Sequence, residues 1–333
     1  MKIISSINIG ILGGGVWGSA LARLLSDNKV IIFTKDSEVA KSINEHRFNP
    51  RLKYAVFNDN VSAQTNFKLL SEMDYIFISL PSQNIREVLS LVNLQNINQE
   101  IIIASKGIEI ESGMLLSEVV KEKVLTQNIS VLSGPCFSDE VSQNLPTAVT
   151  FASKSKKTFS FISNLIKNKN FRMYYSDDLI GCQIGGALKN IYAIASGITT
   201  GLNLGENAKS AIITRSFIEI NRFGEFLGAD KKTIFGLSGL GDLILTCNSL
   251  KSRNTKFGHL ISSTNTPNFK EILKSQEITE GFFTVEAVYK IAEKNMINMP
   301  IMKSIYNILY NGYLIKDEIN NLLERPIIDE FEK

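Results

Sequence analysis

Chemistry first shows itself near the start of the chain. Gly13-Gly14-Gly15-Val16-Trp17-Gly18 has the spacing G-x-G-x-x-G, after an apolar run and at the head of a helix-forming stretch. There the first glycine permits a tight turn. Gly15 lets backbone approach a pyrophosphate with no Cβ in the way, and Gly18 lets the helix pack closely on the strand. The free N–H groups and partial positive charge of a helix start suit phosphate. Gly13, Gly15, Val16, Trp17 and Gly18 are therefore the expected dinucleotide contacts. The next strand ends in Phe33-Thr34-Lys35-Asp36. A carboxylate at that tip would hold a ribose 2′-hydroxyl, but Asp36 lies slightly beyond the usual place, and Lys35 can pair with a 2′-phosphate. The pattern favours NADP(H), with NAD(H) also compatible. A solvated loop lysine is the competing reading of Lys35.

Hydride reduction of a ketone leaves an alkoxide that must be protonated, and the reverse reaction needs a base. A lysine serves both ends if burial or a neighbouring cation lowers its pKa toward neutrality. Lys189 lies in Gly185-Gly186-Ala187-Leu188-Lys189-Asn190, where small residues let a helix pass close to backbone or ligand. By itself a helix lysine reads as a surface charge. Lys106 follows the strand Ile101–Ala104, and the carboxyl ends of parallel strands line the ligand crevice of such sheets. Its charge would stabilise negative charge developing on oxygen. Asp242, after Gly239-Leu240-Gly241, can orient a lysine or accept from a hydroxyl, and a turn aspartate or helix N-cap also fits. Ser252-Arg253-Asn254 precedes a helical stretch and joins a guanidinium fork, a hydroxyl, an amide and helix N–H groups into a candidate phosphate cradle. A solvated arginine on an N-capped helix is its competing reading.

The elements that must position these residues divide the chain in two. Strands are expected at Ile7–Leu12, Val30–Phe33, Tyr75–Ser79, Ile101–Ala104, Ile129–Leu132, Ala148–Phe151 and Phe171–Tyr174. Helices are expected among them at Trp17–Ser26, Ser37–Asn44, Asn84–Leu91 and Leu115–Val124. Repeated strand-then-helix units imply a mostly parallel sheet with helices on both faces. From Asp177 onward the pattern turns helical: Cys182–Thr199, Asn207–Phe226, Phe257–Ser263, Thr284–Lys294 and Ile301–Tyr310. The expected fold class is α/β, an N-terminal Rossmann-like, doubly wound sheet plus a C-terminal all-α domain. The expected domains are 1–176 for the dinucleotide and 177–333 for substrate and catalysis. A length of 333 residues suits two domains.

Composition narrows the classes. A net charge of +3 gives no reason to expect nucleic acid or a membrane surface as partner. Cys136, Cys182 and Cys247 are far apart, and the only histidines are His46 and His259. Neither a disulfide framework nor a metal site is indicated, and a reducing compartment follows. No uncharged apolar run reaches the ~20 residues of a membrane span. The apolar start, interrupted by Ser5, Ser6 and Asn8, reads as a strand and not a signal peptide. A cytoplasmic protein is expected, with a homodimer as the default assembly.

Several segments in order resemble the bacterial NAD(P)-dependent glycerol-3-phosphate dehydrogenases. They are Gly13–Ala22, Ala104–Glu109, Leu132–Glu140 with Leu145-Pro146-Thr147, Gly186–Asn190, Gly236–Leu243, Ser252–Asn254 and Glu280-Gly281. The resemblance implies interconversion of dihydroxyacetone phosphate and sn-glycerol 3-phosphate with NAD(P)H, a product that feeds phospholipid synthesis. It implies Lys189 as proton donor and acceptor, with Lys106 and Asp242 beside it. It places Lys106, Gly134, Cys136, Lys189, Asp242, Ser252, Arg253 and Asn254 at the substrate. It places Lys106, Ser138, Arg253, Ile278 and Glu280 at the cofactor. Val16 stands where many members have serine, which removes one hydroxyl but no backbone donor. Two other readings fit the same architecture: a hydroxyacid or ketopantoate reductase, which also carries a Lys-Asn pair on the first helix of its second domain, and a non-catalytic nucleotide sensor. Gly-Leu-Gly-Asp with Ser-Arg-Asn favours the small phosphorylated ketone.

Overall fold

The computed structural model describes residues 7–263, 269, 279–326 and 329–330. The chain forms two compact units, Met1–Ser105 with Leu116–Leu179, and Lys106–Leu115 with Ile180–Lys333. The sequence pattern puts one boundary near residue 176. The structure adds an excursion, because residues 106–115 leave the first unit and join the second.

The first unit is an α/β layer structure around one eight-stranded sheet. Its strands are β1 (Asn8–Leu12), β2 (Lys29–Phe33), β5 (Val61–Gln64), β6 (Tyr75–Ile78), β7 (Glu100–Ile103), β8 (Ile129–Ser133), β9 (Thr147–Ser153) and β10 (Phe171–Ser176). A separate hairpin pairs β3 (Phe48–Asn49) with β4 (Leu52–Val56). The spatial order is β10-β9-β8-β7-β6-β1-β2-β5. Neighbours from β5 through β8 run parallel, β9 is antiparallel to β8, and β10 is parallel to β9. The chain runs outward from β1 through β2 to β5, then returns to β1's other side as β6. That reversal is the topological switch point at which such sheets bind ligands. Register puts Leu12 beside both Phe33 and Ile78, so β1, β2 and β6 end level.

Strand β7 is buried throughout its Glu-Ile-Ile-Ile run, as expected of a central parallel strand covered on both faces. Helices α1 (Val16–Leu24), α2 (Ser37–His46), α3 (Ile85–Ser90), α4 (Leu116–Lys121), α5 (Ser138–Ser142) and α6 (Lys156–Leu165) complete this unit. The hairpin and β5 were not anticipated from the sequence. These segments are short, and β5 is an edge strand bonded only to β2, so little apolar periodicity marks it.

The second unit is helical. Its helices are α7 (Leu179–Gly201), α8 (Gly205–Phe226), α9 (Lys231–Ile234), α10 (Asp242–Cys247), α11 (Arg253–Ser262), α12 (Glu280–Lys294), α13 (Pro300–Tyr306) and α14 (Ile315–Leu323). Two π-helical turns, Leu237–Gly241 and Asn307–Asn311, interrupt them. Helix α7 is buried at every residue from Gly181 to Thr199. A helix apolar all round belongs in the middle of a core, and Ile184, Leu188, Ile191, Tyr192 and Ile198 anchor this one. Small residues set its approach to neighbours. A Cβ on Gly185 would lie 2.7 Å from Gly239 Cα, and one on Gly197 would lie 2.8 Å from the His259 amide nitrogen on α11. The 106–115 segment closes on itself through an Ile108–Leu115 bridge and buries Ile108 completely in this core.

A buried carboxylate braces the core. Glu219 of α8 is 2% exposed. It accepts from the Tyr192 hydroxyl at 3.0 Å and from the Ile301 and Met302 amides at 2.7 and 3.1 Å. It thereby caps the start of α13, whose own N-cap Met299 offers no side-chain bond. Burial pushes the Glu219 carboxyl up to about 7, against the lowering effect of those donors.

Candidate active site

The glycine turn stands at the switch point. Gly13 N donates to Phe33 O at 2.9 Å, and Ser79 N to Leu12 O at 2.9 Å. Gly13 has φ +128°, and a Cβ there would meet Ser79 O at 2.8 Å, so both conformation and space demand glycine. A Cβ on Gly18 would overlap the Gly13 carbonyl, which is the close helix–strand packing foreseen for that position. Gly15 differs, because nothing lies within 4 Å of where its Cβ would be. That open space meets the start of α1, whose cap Gly15 makes no side-chain bond. The first amide there with a carbonyl partner is Ser19 N, on Gly15 O at 3.0 Å. The first-turn amides of Val16, Trp17 and Gly18 have no partner among the described residues, as at any helix start. An open, Cβ-free approach with outward N–H groups fits a pyrophosphate. The Trp17 indole donates to Ala104 O at 3.1 Å, which fixes the ring against the end of β7.

At the tip of β2, Lys35 is exposed. Asp36 is already engaged. Its Oδ1 accepts from the Glu38 and Val39 amides as the cap of α2, and its Oδ2 pairs with Arg51 at 2.5 Å. A carboxylate so committed is poorly placed to take a ribose hydroxyl, whereas two cations now flank the position.

In the second unit, Asp242 is fully buried between two lysines. Lys189 Nζ donates to its Oδ1 and Lys106 Nζ to its Oδ2, each at 2.5 Å. Lys189 Nζ also donates to Thr246 Oγ1 at 2.8 Å, and that hydroxyl lies 3.3 Å from Asp242 Oδ1. Each member arrives by a different route. Lys189, 8% exposed, comes from the middle of α7 and is not the surface lysine its type suggests. Lys106 opens the excursion into this unit. Asp242 was compatible with a turn or an N-cap. It is instead the first residue of α10, directly after the π-turn, and its carboxylate serves the lysines. The Gly241 N to Gly236 O bond at 3.1 Å is the wide turn's own, and Gly185 allows it to press against α7 one turn before Lys189. π-turns of this kind recur at functional sites. A buried carboxylate is costly unless paired, so the two ammonium groups account for its presence in a core.

Ser252 caps α11, its hydroxyl accepting from Thr255 N at 3.3 Å. Arg253 is exposed at the first position of that helix. Asn254 is 8% exposed. It donates to Asn190 Oδ1 at 3.0 Å and accepts from Gly281 N at 2.8 Å, beside Glu280 at the start of α12. Ile278 lies outside the described residues. In the first unit, Gly134 has φ +153° and a Cβ there would press on Val149. Cys136 Sγ lies 3.3 Å from Gly134 O, and Ser138 opens α5. Among the described residues, no group of three His, Cys, Asp or Glu could hold a metal ion, and no helix is long and apolar enough to cross a membrane.

Reasoning from sequence brought Lys106, Lys189 and Asp242 to one cluster. It missed Thr246, Asn190 and Arg51. Thr246 had a signal, since four residues after Asp242 in a helix means the same face. Arg51 had none, because only the fold returns the β3–β4 hairpin to the tip of β2.

Comparisons with known proteins agree over nearly the whole chain. The model for the N-terminus of NAD-dependent glycerol-3-phosphate dehydrogenase matches residues 8–159, and that for its C-terminus matches residues 178–320. A Thermotoga sp. (strain RQ2) protein named glycerol-3-phosphate dehydrogenase (NAD(P)+) is 40% identical over 323 residues, covering 96% of this chain and 98% of that one. One of the same name from Novosphingobium aromaticivorans is 37% identical over 329 residues, covering 98% of each. The crystal structure of glycerol-3-phosphate dehydrogenase from Coxiella burnetii matches with a TM-score of 0.89 at 34% identity, covering 96% of this chain and 99% of that one.

Proposed function

The chain belongs to the NAD-dependent glycerol-3-phosphate dehydrogenase family, and from that premise we infer how its own residues carry the reaction. It is an oxidoreductase that interconverts dihydroxyacetone phosphate and sn-glycerol 3-phosphate with NAD(P)H. A nicotinamide held there would supply or accept the hydride at C2.

Lys189 Nζ gives a proton to the C2 oxygen during reduction and takes it back during oxidation. The observation that carries this role is the buried carboxylate of Asp242 shared by Lys189 and Lys106 at 2.5 Å each. Asp242 and Thr246 fix the direction of the Lys189 ammonium, so that proton transfer needs no search. Lys106 adds a second positive charge that stabilises developing negative charge on the substrate oxygen. Arg253, with the amides of the α11 start and the Ser252 and Asn254 positions around it, grips the substrate phosphate. Gly134 and Cys136 line the substrate. The amides after Gly15, with Trp17, Ser138, Arg253, Ile278 and Glu280, hold the cofactor. Lys35, beside an Asp36 already held by Arg51, favours the 2′-phosphate and so NADP(H) over NAD(H). The assembly is a homodimer. The setting is the cytoplasm, where the product feeds phospholipid synthesis.

The test is steady-state oxidation of NADPH and NADH, side by side, with dihydroxyacetone phosphate and ketopantoate as substrates. Turnover on the phosphorylated ketone, faster with NADPH, is the expected result. Turnover on ketopantoate only would overturn the assignment.

A further inference from the structure

Three buried groups join the helices that carry the second unit's site. Gly281 N donates to Asn254 Oδ1 at 2.8 Å, and Asn254 Nδ2 donates to Asn190 Oδ1 at 3.0 Å. Asn190 and Asn254 are 5% and 8% exposed. A Cβ on Gly281 would overlap the Asn190 carbonyl and lie 2.8 Å from Asn254 Oδ1, so α12 begins with its backbone pressed on α7. The polarity is fixed from one end. A backbone amide only donates, so Asn254 must turn its oxygen to Gly281 and its nitrogen to Asn190, which answers with its own oxygen.

The members of this relay share one placement, since each stands immediately after a residue of the site. Asn190 follows Lys189 on α7, Asn254 follows Arg253 on α11, and Gly281 follows Glu280 on α12. The relay therefore ties together, one residue removed, the backbone positions of the proton-transfer group, the phosphate clamp and the cofactor contact.

We propose that the Gly281–Asn254–Asn190 relay is a positioning element that sets the spacing from Lys189 to Arg253, and so selects the length of the phosphorylated substrate. The proposal rests on the roles given above to Lys189, Arg253 and Glu280. Helices are stiff over one turn, so spacing between them changes only by sliding or rotating one against another. Two short amide bonds and a Cβ-free contact oppose both movements. Neutral interhelical hydrogen bonds add little net stability, whereas a displacement of about 1 Å between a catalytic group and its substrate costs on the order of a hundred-fold in rate. A positioning role thus predicts a large change in selectivity with a small change in stability. An ordinary packing contact predicts the reverse.

The test uses Gly281→Ala, which pushes α12 off Asn190 without adding or removing a group that could touch substrate. Asn190→Ala is the second variant. It leaves Asn254 and its bond from the Gly281 amide in place and removes the oxygen that Asn254 reaches on α7. Each is assayed with dihydroxyacetone phosphate and erythrulose 4-phosphate, rungs of three and four carbons in which one and two carbons separate the carbonyl from the phosphate ester. NADPH affinity is read by fluorescence without substrate, and folding by circular dichroism. In both variants, the preference in kcat/KM for the three-carbon rung should fall about ten-fold or more. NADPH binding should weaken several-fold, and the melting temperature should drop by only a few degrees. A preference within about two-fold of wild type in either folded variant overturns the relay. A wild-type chain that fails to reduce dihydroxyacetone phosphate overturns the functional reading, and the relay's role with it.

Discussion

Asp242 and Glu219 lie in the same helical unit, 0% and 2% exposed, and are held by opposite means. Asp242 is answered by two ammonium groups, one on each oxygen. Glu219 is answered by a phenol and two backbone amides. The first arrangement sets two cations, from α7 and from the 106–115 segment, against one carboxylate. The second ties three helices together, and burial holds its carboxyl near 7. Depth of burial therefore does not separate a carboxylate proposed to orient a catalytic lysine from a structural one. The identity of the donors does.

Four substitutions would break or sharpen that contrast. The largest effect is expected from Lys189→Ala, which removes the proton carrier: kcat should fall about a thousand-fold with NADPH still bound by fluorescence titration. Normal turnover would remove Asp242 from the catalytic side of the comparison. Asp242→Asn should lower kcat about a hundred-fold, the scale of one electrostatic group lost. Leaving two ammonium groups without their shared carboxylate should also cost about 3 kcal/mol in urea unfolding. Arg253→Lys keeps the charge but loses the guanidinium fork. The KM for dihydroxyacetone phosphate should rise about ten-fold, with kcat changed by less than about three-fold.

Glu219→Gln should have the smallest effect on catalysis, with kcat within about three-fold of wild type, because its neighbours are structural; its signature is in stability. Glu219 is raised from 4.5 to about 7 on folding. Between those values the folded chain holds a proton that the unfolded chain has released. The stabilisation is present in full below pH 4.5 and is lost as pH rises through 7, by up to about 3 kcal/mol. Melting followed across this range should show that fall in the wild type and a shallower one in the glutamine variant. Equal slopes would remove Glu219 as its source.

Much of this was legible beforehand. The strand–glycine–helix opening fixed the first turn, because few other residues satisfy a positive φ at Gly13 and the contact at Gly18. Strand positions were clear wherever apolar runs were long, as in β7, and unclear in the hairpin and β5, where two to five residues carry too little pattern. The excursion of residues 106–115 left no mark. Ile108 looks like any apolar residue after a strand, and only the second core reveals where it is buried.

The sequence by itself determined the two-part architecture and the turn for the nucleotide, and it singled out Lys106, Lys189 and Asp242. The first two are local matters, set by periodicity and glycine conformation, whereas the roles of Lys189 and Asp242 came from the family resemblance. Only the tertiary structure decided that one carboxylate serves both lysines, that Arg51 occupies Asp36, and that Asn254 spends its amide on Asn190 and Gly281. Each of those pairings joins residues distant in the chain. Their geometry follows from how whole helices and strands close on one another, which no local pattern encodes.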